Sequence, residues 1–193
     1  MTVKKEIVYF DSPGPQNTEE VLKLALERAK ELGIKDIIVA STTGETGAKA
    51  SEVFKGYNVI VVTHHAGFKS PWETEVREEY RRKIIENGGK VLTCTHALSG
   101  VERSIKNKFG LLGPVELIAN TLRMMGQGIK VAVEISVMAA DAGLIKGDEV
   151  ICITGTGKGA DTAVVIKPAH SNNFFDLEIR EIICKPRSSK STS

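Results

Sequence analysis

Ser41, Thr42, Thr43, Gly44, Glu45, Thr46 and Gly47 stand in one unbroken run. Glycines let backbone N–H groups turn inward and hydroxyls add donors, so a loop of this composition can cradle an anion. The residues after it read as a short helix beginning near Gly47, whose positive end faces the same spot. The ligand favoured there is a phosphate. The same hydroxyls can instead cap their own helix, with no ligand at all.

A second set of chemical residues is His64, His65 and His96, with Phe68 and Trp72 nearby in sequence. Three histidines at one rim suit acid–base work, ligand contact, metal binding or loop hydrogen bonds. Successive strand residues point to opposite faces, so His64 and His65 are not expected to share a metal, and no metal site is assigned. Cys94 reads as a thiolate nucleophile or, more simply, as inert core at a strand end. The run Gly155-Thr156-Gly157-Lys158-Gly159 has glycines like a nucleotide loop, but it lacks P-loop spacing and leads into a strand, which argues against an ATPase. Arg103, Lys106 and Lys108 read as a solvated helix face, or as phosphate ligands if the middle of the chain folds over the loop.

The elements that must carry these residues alternate. Lys5 to Phe10 reads as a strand, followed by a turn-rich loop in which Asn17 or Thr18 caps a helix ending at Gly33. Strands over Asp36 to Ala40 and Asn58 to Thr63 flank the hydroxyl loop. A helix over residues 73–89 leads to a strand over Lys90 to Thr95. This alternation implies an α/β fold with a parallel sheet and helices on both faces. The middle is helical: a short helix or turn over 101–110, a helix starting at Pro114, and a largely apolar one ending near Gly143. Met124, Met125 and Met138 read there as core filler or subunit interface. Two β-prone runs joined by the second glycine loop, and then Asp176 to Pro186, close the chain. So short a connection predicts at least one antiparallel strand.

Composition bounds the partners. With 193 residues the chain fits one domain, taken as 1–186, with 187–193 a polar and basic frayed tail. A net charge of +2, from 26 basic and 24 acidic residues, offers no broad cationic surface for nucleic acid. No apolar run approaches the roughly 20 residues that span a bilayer. The first residues do not read as a signal peptide, and three scattered cysteines do not read as a disulfide framework. The expected location is the cytoplasm.

Two blocks, IIVASTTGETGAKASEVFKGYNVIVVT and GLIKGDEVICITGTGKGADTAVVIKPA, resemble in sequence and in order the carboxy-terminal domain of pyruvate kinase. The resemblance implies a three-layer α/β/α sandwich with a mixed, mostly parallel sheet. In family members that bind sugar-phosphate effectors, the first loop holds a phosphate and the closing loop covers the ligand. That points to Ser41, Thr42, Thr43, Gly44, Thr46 and Gly47 as cofactor-binding residues, with Asn17, His65, His96 and Thr156 around them and Gly155, Gly157 and Gly159 opposite. Thr42 and Glu45 stand where effector-binding relatives usually carry basic residues, which favours a single phosphate over a bisphosphate. No barrel domain with its metal and potassium sites is present, so pyruvate kinase activity is not expected.

Stand-alone chains similar to this domain carry an extended middle, here roughly Thr95 to Ile129, and are candidates for holding flavin mononucleotide. The implied function is capture of a phosphorylated small molecule, with flavin mononucleotide as the cofactor. A flavin-dependent oxidoreductase using His65 or His96, a sugar-phosphate effector-sensing domain, and a ligand-free structural role remain as alternatives. A homo-oligomer is a further expectation; nucleic acid and membrane partners are not.

Overall fold

The computed structural model describes residues 2–188. Helix α1 (Thr18–Leu32) puts Val21, Leu22, Ala25 and Ala29 on one buried face and stops at Gly33, whose left-handed φ of 71° turns the chain out of the helix. The strands β2 (Asp36–Ala40) and β3 (Asn58–Val62) are continuous apolar runs because both of their faces are covered. Between them lies α2 (Glu45–Val53), and β3 leads through α3 (Glu78–Glu86) to the short edge strand β4 (Lys90–Leu92). Three helices follow: α4 (Gly100–Phe109), α5 (Pro114–Arg123) and α6 (Gln127–Asp141). The chain ends in β5 (Val150–Thr154), β6 (Thr162–Lys167) and β7 (Glu178–Pro186), and β7 pairs with the first strand, β1 (Val8–Phe10).

The seven strands lie in the order β1-β7-β6-β5-β2-β3-β4. Only β6 runs against the rest, paired antiparallel to both β5 and β7. The odd and even residues of β2 separate two cores. Ile37 and Val39 join Val21 and Leu22 of α1, Phe54 just after α2 and Ile84 of α3, whereas Ile38 joins Ile129, Ala132, Ile135 and Met138 from α6. On the outer side of α6, Val133 meets Ala119 of α5. The result is a three-layer α/β/α sandwich with a mixed, mostly parallel sheet.

Several boundaries differ from the sequence expectations. Pairing partners limit the first strand to Val8–Phe10 and the fourth to Lys90–Leu92, shorter than their apolar runs. The helix after the hydroxyl loop starts at Glu45, two residues before Gly47, because Gly44 adopts a left-handed φ of 92° and its carbonyl accepts the Ala48 N–H at 2.8 Å. The third helix begins only at Glu78, since the Arg77 N–H donates to the Thr43 carbonyl at 2.9 Å and holds residues 73–77 as a loop. Neither Asn17 nor Thr18 caps α1 with its side chain. Asn17 donates to the Ser12 carbonyl, and the Thr18 hydroxyl accepts the Ala160 N–H. Within the tail expected over 187–193, the Arg187 N–H still donates to the Phe10 carbonyl, and 189–193 lie outside the described residues. Met138 is core, but Met124 is 86% exposed on the outer helices. No helix among the described residues is long and apolar enough to cross a membrane.

Gly47 shows how tightly α2 sits on the sheet. A Cβ at this position would lie 2.8 Å from Val61 Cγ2 and closer still to Val61 Cγ1. Gly47→Ala is therefore expected to cost about 1–3 kcal/mol through overpacking, read as a lower thermal midpoint.

Candidate ligand-binding cleft

The carboxyl ends of β2, β3 and β4 and the β5–β6 loop open on one cleft of about 830 Å³. It lies where the strand order reverses: β2 leads to β3 and β4 on one side, while α4–α6 return the chain to β5 on the other. Open α/β sheets place ligands at such points because neighbouring loops diverge there.

The hydroxyl loop forms one wall. Its first member is spent on local structure: the Ser41 hydroxyl accepts the Gly47 N–H at 3.1 Å, and the Ser41 N–H donates to the Val62 carbonyl at 2.9 Å. The Thr43 hydroxyl makes only a long contact, accepting the Glu45 N–H at 3.5 Å. Among the described residues the N–H groups of Thr43, Gly44 and Thr46 have no hydrogen-bond acceptor. They mark the start of α2, where the helix dipole favours negative charge. Ser41, Thr42, Thr43, Glu45 and Thr46 line the cleft; Gly44 and Gly47 shape the wall from behind.

The opposing wall is the second glycine loop. Gly155, Gly157, Lys158 and Gly159 line the cleft, and Thr156 does not. The Thr156 N–H donates to Asp161 Oδ2 at 3.0 Å, and the same oxygen accepts the Gly14 N–H at 3.2 Å. Asp161 is fully buried and thereby ties this loop to the segment after β1. Asn17, bound to Ser12, also stays out of the cleft, whereas Pro15 and Thr18 beside it line the wall.

The histidines come together. His64 stacks on Phe68 with ring centroids 3.9 Å apart, and the His96 ring lies 5.4 Å from His64 and 5.2 Å from His65. Strand β3 ends at Val62, so the alternation expected to separate His64 from His65 no longer applies two residues later. Among the described residues no group of three or more His, Cys, Asp or Glu side chains is arranged to hold a metal. His64 Nδ1 lies 2.7 Å from Glu75 Oε2, and its Nε2 lies 3.4 Å from the Thr42 hydroxyl. His65 turns its Nδ1 to the Ala66 carbonyl and stays outside the cleft lining. Trp72 is 96% exposed and takes no part. Burial holds the half-buried Cys94 thiol above its usual pKa, in keeping with an inert thiol.

Charge on the cleft walls is one-sided. Lys49, Lys69, Arg77, Arg103, Arg123, Lys130 and Lys158 face three carboxylates, those of Glu45, Glu75 and Glu134. Arg103 sits over the Phe68 ring at 4.7 Å, so the middle segment does fold back over the site. Lys106 instead pairs with Glu116. Lys130 and Glu134, one turn apart on α6, form a buried ion pair at 2.5 Å, and Glu134 Oε1 also accepts the Leu98 N–H at 3.0 Å. Desolvation lowers the Lys130 pKa against the pull of Glu134. The sequence pointed to Arg103 alone among these cations. The others lie on five separate segments, and only the fold brings them to one wall.

The family model for the pyruvate kinase alpha/beta domain matches residues 19–166. The chain belongs to the pyruvate kinase α/β-domain family. Two solved structures of pyruvate kinase from Cryptosporidium parvum are similar to this family member at 17% identity over 79% of its length, with TM-scores of 0.40 and 0.35. It spans 23% and 22% of those chains. A structure of O-ureido-L-serine synthase also matches, at 17% identity and a TM-score of 0.31, over 70% of this chain and 49% of the other.

Within this family domain His96 is 8% exposed, and burial, reinforced by the neighbouring His64, His65 and Lys130, pushes its pKa down to about 4 against the pull of Glu134. Its ordinary value is near 6.5, so between about 6.5 and 4 the unfolded chain binds a proton that folded His96 refuses. Stability present above that window is lost as pH falls through it. Comparing wild type with His96→Gln by thermal denaturation between pH 7.5 and 4.5 should show a smaller acid loss in the variant. The difference should be on the order of 2 kcal/mol, since each pKa unit is worth about 1.4 kcal/mol.

Proposed function

We propose that the cleft captures a phosphorylated small molecule, with the phosphate against the start of α2. The observation that carries this reading is the coincidence of the unpaired amides of Thr43 and Thr46, with that of Gly44 between them, and an excess of lysine and arginine on the cleft that the two threonines line. Amides at a helix start and a surrounding cationic field are the two ingredients of phosphate binding. Flavin mononucleotide suits the remaining space. It has one terminal phosphate, and the volume of about 830 Å³ also offers an apolar stretch of Val62, Val131, Ile135 and Met138 for a ring. Binding, rather than phosphoryl transfer, is the role assigned to this chain. A flavin-dependent oxidoreductase is the second reading, favoured by His64 and His96 beside Phe68 on the cleft wall. A sugar-phosphate effector would use the same amides without the apolar stretch.

Calorimetric titration with flavin mononucleotide and with inorganic phosphate tests the site. Thr43→Ala and Thr46→Ala should each weaken binding, since a hydrogen bond to a charged group is worth about 1.5–3 kcal/mol. Unchanged affinity in both variants would sink the reading. A yellow chromophore that co-purifies and is bleached by a nicotinamide donor would favour the enzyme, and a coloured but redox-inert protein would favour storage.

The outer helices bear on assembly. Val101, Phe109, Leu111, Leu112, Leu117 and Met124 are each at least 58% exposed along one stretch of chain. Such clustering supports a homo-oligomer joined through α4 and α5. Light scattering should give a mass above one chain, and Phe109→Lys with Leu112→Lys should return it to the monomer value.

A further inference from the structure

Thr42, His64 and Glu75 come from three separate turns of the chain, and each turn is held in place. The Ser41 N–H bond to the Val62 carbonyl fixes the start of the Thr42 loop beside the end of β3, from which His64 follows. The Arg77 N–H bond to the Thr43 carbonyl, at 2.9 Å, brings the loop carrying Glu75 across to them. Phe68 stacks on the His64 ring at an interplanar angle of 28° and holds it in plane. All three side chains line the cleft.

The arrangement has a chemical direction. Glu75 Oε2, 2.7 Å from His64 Nδ1, accepts the proton of that nitrogen and so selects the tautomer whose Nε2 carries a free lone pair. His64 Nε2 lies 3.4 Å from the Thr42 hydroxyl oxygen, a long spacing of the kind catalytic hydrogen bonds often show without substrate. Thr42 sits on a strand-to-helix turn, and the amides of Thr43 and Gly44 that follow it are without acceptors. Amides so placed can hold the oxyanion of a tetrahedral intermediate.

We propose that Thr42, His64 and Glu75 form a nucleophile, base and orienting carboxylate that hydrolyse small carboxylic esters in this cleft. Thr42 Oγ bonds to the acyl carbon while its proton passes to His64 Nε2, and the carbonyl oxygen takes up the electron pair against the amides. Collapse breaks the bond to the alcohol oxygen, which receives the proton from His64. A water molecule then attacks the acyl-threonine, again through His64, and the Thr42 oxygen leaves with the returned proton. The products are one carboxylic acid and one alcohol. The activity uses the same amides as the phosphate reading but does not require it, and inorganic phosphate should act as a competitor.

The test is stopped-flow release of p-nitrophenolate from p-nitrophenyl acetate by the full chain, with mass spectrometry to locate the acetyl group. A burst of about one equivalent with the label on Thr42 is expected. His64→Gln should slow acylation by about 100-fold or more, and Thr42→Val should remove both burst and label. Thr42→Ser should restore both, a rescue that a merely structural hydroxyl would not give. Circular dichroism of each variant and phosphate calorimetry on the same samples separate loss of fold and loss of anion binding from loss of chemistry. A folded wild type no faster than folded Thr42→Val or His64→Gln, or a label confined to other residues, would overturn the proposal.

Discussion

The parallel pairing of β2 with β5 is the interaction on which the rest of the molecule depends. These strands are far apart in sequence, and a parallel pair can be joined only by a crossover that leaves the sheet and returns. From β2 the chain moves outward through α2 and α3 on one face, then comes back through α4, α5 and α6 on the other. The loops leaving β2 and β5 must therefore part, and the cleft is the space between them. Asp36 locks this junction from below. Its buried carboxylate accepts the N–H groups of Lys146 and Gly147 at 3.1 and 2.7 Å and also holds Asn58, so the starts of β2, β3 and β5 are set by one side chain.

Polar groups buried around the cleft position its walls. Asp161 joins the glycine loop to the segment after β1, and Glu134 carries the Leu98 N–H while it neutralises Lys130. A buried ion pair adds little net stability, because desolvating both charges offsets much of their attraction. Its effect here is geometric: removal of either partner would leave a charge stranded in the core of α6. Every buried side-chain nitrogen or oxygen among the described residues has a partner, so the unpaired backbone amides at the start of α2 stand out by contrast. Backbone donors left open on a cleft wall are free for a ligand or for water.

The fold was legible in the sequence wherever local pattern decided the outcome. The apolar runs of β2, β3 and β5, the amphipathic face of α1 with its Gly33 stop, and the antiparallel β6 all follow from periodicity and short connections. Legibility failed where a distant partner decided. The expected helix over 73–89 loses its first turn because Thr43 captures the Arg77 N–H, and the strand expected to reach Thr95 stops where its neighbour β3 stops. Part of the site was visible as composition, in Ser41 to Gly47 and in the second glycine loop. Glu75, Arg77, Arg123 and Lys158 carried no local signal, since charged residues in loops and at helix ends ordinarily read as solvated surface.

The hydroxyl loop illustrates how one run of similar residues is divided by the fold. Ser41 sits closest to the strand, so its oxygen is directed at the Gly47 N–H and completes the helix start. With that amide satisfied, Thr43, Gly44 and Thr46 keep their N–H groups open, and the Thr43 carbonyl is occupied in holding the segment before α3. Thr42 is the one hydroxyl of the run that meets an imidazole. A loop that merely capped its helix would need Ser41 alone. The additional hydroxyls line a cationic cleft, and the next loop supplies a histidine already oriented by a carboxylate. Capping and cleft lining are thus successive uses of neighbouring positions: the cap made by Ser41 fixes the backbone of the residues whose amides stay open.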